Sequence, residues 1–164
     1  MVVLGPTRAA ATELALAAFD PGCQGIHALT LTQLAAQLAA QPLGRNSLAP
    51  ISRLGIVALA ARVVHTAYRA NQLAYFAPVA LTPGFGRAAA KTIAELRLND
   101  VTASDLASAG APGADLAQLL TLYENELAQR RLADLPDLLR FAAVEAASAR
   151  QRFLELPLVL LDVS

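Results

Sequence analysis

The sequence predicts an α/β protein that is mostly helical, with a small parallel sheet built from both ends of the chain and closed around a large helical insertion. Three observations predict it. The chain closes on a short apolar run, Leu156-Pro157-Leu158-Val159-Leu160-Leu161-Asp162-Val163-Ser164, which reads as a strand buried on both faces with a carboxylate at its C-terminal end. Two further apolar runs near the other end, Val2-Val3-Leu4 and Ile26-His27-Ala28-Leu29, supply the partners that a single buried strand needs. Between them, from Ile51 to Arg152, apolar residues recur at helical spacing and capping signals repeat. On this reading residues 1–42 and 153–164 form the α/β part, and residues 43–152 form the insertion.

Composition narrows the function. A chain of 164 residues suits one domain, or one domain with an insertion, and 55% hydrophobic content is ample for a core. Thirteen basic and thirteen acidic residues cancel, so no bulk field draws nucleic acid and any DNA contact must come from a local patch. Lys91 is the only lysine, a bias that, with so much Ala and Leu, fits a GC-rich genome. The single Cys23 excludes an internal disulfide and a cysteine-rich metal site. No apolar run approaches the roughly 18 residues of a membrane span, and the N-terminus lacks a basic segment followed by a long apolar one. The expectation is a cytoplasmic protein with no membrane partner.

Taken in order, Val2-Val3-Leu4 is a strand that breaks at Gly5-Pro6, after which Thr7 caps a helix running to about Phe19. A strand, a turn and a helix N-terminus present backbone amides and a hydroxyl to an anion. Read as a P-loop, Gly5 to Thr12 has the right span, but Ala10 replaces a glycine and Ala11 replaces the lysine that reaches the phosphates. After Asp20-Pro21-Gly22 the second strand, Ile26 to Leu29, meets Thr30-Leu31-Thr32-Gln33, which has the form of a capping box. Threonines thus stand twice at a strand-to-helix junction. His27 has no second ligand nearby and reads as a core or rim histidine rather than a metal ligand.

Pro42 to Pro50 reads as a polar loop leading out of the sheet layer. Leu54, Val57, Ala58, Ala61, Val64 and Tyr68 then share one face of a helix ending near Asn71, with Arg53, Arg62 and Arg69 on the rest and His65 beside the apolar face. Arginines so placed can line a DNA backbone, although a solvated face is their commoner meaning. An irregular link, Leu73 to Leu81, precedes Thr82-Pro83, read as an N-cap and first helical position, and a stripe of Phe85, Ala89, Ile93 and Leu96. Thr102 to Asp105 opens a short helix that Gly110 to Gly113 should stop. A longer helix is predicted from about Ala114 to Arg131, where Arg130-Arg131 complements the helix dipole. Asp134, Pro136 and Asp137 start a final helix reaching about Arg152.

These residues resemble the N-terminal region of UvrD-like superfamily I helicases, most closely the AddB-type subunits of bacterial ATP-dependent helicase-nucleases. The resemblance spans nearly the whole chain and rests on the order and spacing of three motifs. Thr7-Arg8-Ala9-Ala10-Ala11-Thr12-Glu13-Leu14 looks like motif Ia, which touches single-stranded DNA in the family. Thr30-Leu31-Thr32-Gln33-Leu34-Ala35 looks like motif Ib, with Thr32 where such helicases often carry histidine. Leu132 to Leu139, followed by Leu158 to Asp162, looks like the approach to motif II; Thr82-Pro83-Gly84-Phe85 and Ile93-Ala94-Glu95-Leu96-Arg97 look like AddB-type sequence in the helical subdomain.

The resemblance implies a partial RecA-like helicase domain carrying a 1B-like helical subdomain. It assigns DNA contact to Thr7, Arg8, Thr30 and Thr32, and makes Asp162 the remnant of a magnesium-holding acid. It also implies a role in DNA repair and recombination, with single-stranded DNA and a helicase-nuclease partner subunit, or further domains of the same protein, as partners. The departures are equally specific. Motif II requires Asp-Glu, yet Val163 follows Asp162, and no true P-loop precedes motif Ia. The expectation is a chain with no catalytic residue and no ATPase activity of its own, for which ATP and magnesium enter only if the full-length protein supplies the missing P-loop. The alternative is a non-enzymatic helical module that docks on another protein.

Overall fold

The computed structural model describes residues 1–18, 25–148 and 155–161, and is mostly helical, with seven helices and a three-stranded parallel sheet among them. The chain divides into two compact units, Met1–Asn46 with Asp137–Ser164, and Ser47–Pro136. No helix among the described residues is long and apolar enough to cross a membrane.

In the first unit, β1 (Val2–Leu4), β2 (His27–Leu29) and β5 (Leu158–Leu160) form the sheet in the order β2-β1-β5, all parallel. Val2 stands opposite His27 and Leu158, and Leu4 opposite Leu29 and Leu160, so the three strands end level with one another. The expectation of a doubly buried final strand is corrected. The central, buried strand is β1, whose Val3 is fully buried, whereas Leu158, Val159 and Leu160 are 54%, 36% and 62% exposed. An apolar run looks the same whether it lies at the centre or the edge of a sheet, and only the strand order separates the two.

Helix α1 (Arg8–Ala18) packs on β1 and β2. The turn between β1 and α1 is tight: a Cβ on the buried Gly5 would stand 3.0 Å from the Ala11 nitrogen and 3.1 Å from the Thr7 carbonyl oxygen, which only glycine avoids. Helix α2 (Leu31–Arg45) buries Ala35, Leu38, Ala39 and Leu43 and runs through Pro42, so the predicted loop begins later than expected. Pro42 is itself buried there, so its ring adds to the packing while its missing N–H leaves one helix bond unmade. The Pro42 carbonyl accepts bonds from the backbone N–H of Asn46 at 3.0 Å and from its side-chain amide at 2.8 Å.

The second unit holds α3 (Arg53–Arg69), α4 (Phe85–Leu98), α5 (Ala103–Ala107) and α6 (Gly110–Gln129). Its core gathers Leu59, Val63 and Val64 of α3, Ile93 of α4, and Leu119, Leu120, Tyr123 and Leu127 of α6. Ser52 caps α3, its hydroxyl accepting the Gly55 N–H at 3.1 Å, and Asn71 leaves the helix in the left-handed region at φ 53°. Thr102 and Asp105 form the expected capping box of α5, and the bonds from the Thr102 hydroxyl and N–H hold the Asp105 carboxyl below the usual range.

Two predicted helix starts move. Helix α4 starts at Phe85 behind a left-handed Gly84, because the Thr82 hydroxyl donates to the Val79 carbonyl at 2.7 Å instead of capping. Helix α6 starts at Gly110 rather than Ala114, since Pro112 falls in the first turn, where a helix has no use for its N–H. Asp134 precedes α7 (Leu135–Ala147) as expected, and its carboxylate also takes Arg97. The predicted ends of α1 at Phe19 and of α7 at Arg152 lie outside the described residues.

A two-residue parallel ladder was not predicted. It joins β3 (Ala49–Pro50) to β4 (Leu132–Ala133), with the Ala49 N–H donating to the Arg131 carbonyl and the Ile51 N–H to the Ala133 carbonyl, both at 2.9 Å. It clasps the entry of the unit to its exit. Most of the last helix, α7, groups with the sheet unit, where Leu138 and Ala142 are buried.

Candidate functional site

In an open parallel sheet, ligands meet the rim beyond the carboxyl ends of the strands, because helices begin there with their N–H groups unpaired. The first unit has such a rim. β1 and β2 end level at Leu4 and Leu29, tied by a bond from the Gly5 N–H to the Leu29 carbonyl at 3.0 Å, and each leads into a helix through a threonine.

Thr7 and Thr30 are built alike. The Thr7 hydroxyl accepts the Ala10 N–H at 3.1 Å, and the Thr30 hydroxyl accepts the Gln33 N–H at 3.2 Å while the Gln33 side chain accepts the Thr30 N–H at 3.0 Å. Each hydroxyl oxygen is thus fixed as an acceptor, and its own proton can still be donated outward. Arg8 is the first residue of α1 and is exposed, and Thr32 lies exposed in the first turn of α2. The four predicted DNA-facing residues are therefore the caps, Thr7 and Thr30, and first-turn residues, Arg8 and Thr32, of two helices that leave adjacent strands.

The third strand reaches the same level, since the Leu161 N–H donates to the Leu4 carbonyl at 2.8 Å. Asp162, the predicted metal-holding acid, lies outside the described residues. Among the described residues no group of three metal-ligating side chains comes together. His27 sits exposed at the opposite, N-terminal end of β2, the second of the two places, core or rim, that the sequence left open for it.

The second unit contains the one deeply buried charged cluster among the described residues. Arg97, 6% exposed, donates from Nε to Asp134 Oδ2 at 3.0 Å, from Nη2 to Asp134 Oδ1 at 3.2 Å and from Nη1 to Glu124 at 2.7 Å; the Tyr123 hydroxyl lies 3.4 Å from Asp134. A guanidinium matched to a carboxylate in this fork geometry is a structural tie, with its donors turned inward. Asp115, also buried, accepts the backbone N–H groups of Ala74 at 3.0 Å and Phe76 at 2.8 Å and so fixes the irregular link after α3. Of the predicted arginines on α3, Arg62 lies 3.6 Å from Glu126, which also takes Arg130 at 2.7 Å.

His65, given no role from its sequence, lines a surface cavity of about 390 Å³ with Arg87. The two are 22 positions apart in sequence, and no spacing rule joins them. No family model matches the chain, and no curated protein matches it.

Proposed function

We propose that the chain is a helicase-like segment of an AddB-type DNA repair protein, degenerate in its ATPase motifs, whose RecA-like rim holds the backbone of single-stranded DNA while other surfaces pack on a nuclease partner. The observation that supports this reading is the pair of threonine-capped helix starts at the level ends of two adjacent parallel strands. Phosphates laid along that rim meet two positive dipole ends, two donating hydroxyls and the Arg8 guanidinium. Such contacts position a strand without reading its bases.

With one formal charge at the rim and a net charge of zero, affinity falls on the non-specific scale of about 10⁻⁴ to 10⁻⁶ M and declines with added salt. Fluorescence anisotropy with a labelled single strand tests this. Arg8→Ala and Thr30→Val each weaken binding, as does Thr32→Val, which removes an exposed hydroxyl and leaves the Thr30 cap intact. Equal binding by all of them, or indifference to salt, sinks the rim as a DNA site. A second reading, a docking module for another protein, draws on the exposed apolar side chains of β5, and gains if the rim variants change nothing.

A further inference from the structure

The cavity in the second unit belongs to neither the rim nor the buried ion cluster. One wall is α3, which contributes Val57, Ala61, Val64 and His65; the other is the link before α4 together with the first turn of α4, which bring Leu81 and Arg87. The two helices touch closely at this point, since a Cβ on Gly86 would stand 2.8 Å from that of Ala61.

The lining divides chemically. Val57, Ala61, Val64 and Leu81 make an apolar floor, while Arg87 and His65 are exposed, and no acidic residue lines the cavity. Among the described residues no ion pair involves either of them. A guanidinium offers a planar fork that fits a carboxylate or a phosphate, and an imidazole adds a donor. The volume stands at the small end of the range for ligand pockets, about 300 to 1,000 Å³. No Phe, Tyr or Trp lines it, so it offers no broad ring face on which a base would stack.

We propose that this cavity binds a small amphipathic anion, a short apolar chain ending in a carboxylate or a phosphate, with its charge on Arg87 and His65 and its chain on Val57, Ala61 and Val64. The shared chemistry is one anionic head on an apolar body.

Heteronuclear NMR of the full chain, titrated with hexanoate, hexyl phosphate, hexanol and hexylamine, tests this. The expected result is saturable shifts at the Ala61, His65 and Gly86 amides with one or both anions, the tighter one identifying the head group, and none with hexylamine. Arg87→Gln weakens the anion about tenfold, the loss of a charge-assisted bond, and leaves any hexanol shift unchanged. Val57→Phe, which fills the floor, abolishes binding with the rest of the spectrum retained. The proposal fails if neither anion saturates, if hexylamine binds as well as hexanoate, if Arg87→Gln binds equally, or if a thymidine oligonucleotide displaces the anion, which would make the cavity part of a nucleic-acid path.

Discussion

Arg97 occupies the end of the buried row that Ala89 and Ile93 begin on α4, a place where helical periodicity calls for an apolar side chain. Its charge is tolerated because Asp134 stands against it, 2% exposed, and Glu124 closes the third side. Removing one member leaves the other charged and buried. Arg97→Met is therefore expected to destabilise by about 3–5 kcal/mol, whereas the double change Arg97→Met with Asp134→Leu recovers most of that loss. Urea unfolding of the single and double variants decides it, and equal losses would mean that packing, rather than the unpaired carboxylate, carries the cost. Nothing local in the sequence announces this pair. Asp134 reads as a helix cap because an acid before Leu135-Pro136 has that local meaning, while its bond to Arg97, 37 positions away, has no local sign. Thr7 and Thr30 were legible for the opposite reason: a cap is a bond to an N–H three residues on, and the sequence displays both ends of it.

At the scale of elements, identical substitutions at two glycines should act in opposite directions. Gly44 lies in the last turn of α2, where an added Cβ would meet nothing within 4 Å, so Gly44→Ala should stabilise by about 0.4–1 kcal/mol through the unfolded chain. Gly86 lies in the first turn of α4 against Ala61, and Gly86→Ala must push the two helices apart, at a cost of about 1–3 kcal/mol. Thermal unfolding of both variants checks the signs; a stabilised Gly86→Ala would show that α3 and α4 yield freely. Helices were legible as elements because their apolar stripes repeat, but their ends were not. Pro42 and Gly110 are breakers by residue type, yet Pro42 is buried in the last turn of α2 and Gly110 opens α6 at a positive φ that glycine adopts freely. The same limit hid the exposure of β5, because an apolar strand does not declare which neighbours will cover it.

For the whole molecule, the parallel sheet could be read from the sequence because each strand is an apolar run beside a turn, whereas the pairing of Ala49–Pro50 with Leu132–Ala133 has no pattern at either end. That small ladder has a mechanical consequence. Tension applied between Ser47 and Leu135 draws β3 toward its own start and β4 toward its own end, so the parallel strands are loaded in opposite directions along their length. The bonds from Ala49 and Ile51 then strain together instead of opening in turn. Single-molecule pulling through thiol handles at Ser47→Cys and Leu135→Cys, with Cys23→Ser, should show a distinct force peak before the helices α3 to α6 extend. Ile51→Pro, which deletes one of the two donors, should lower that peak; an unchanged trace would place the resistance in the helical core. The clasp would then act as a shear pin that sets the load at which the helical unit yields.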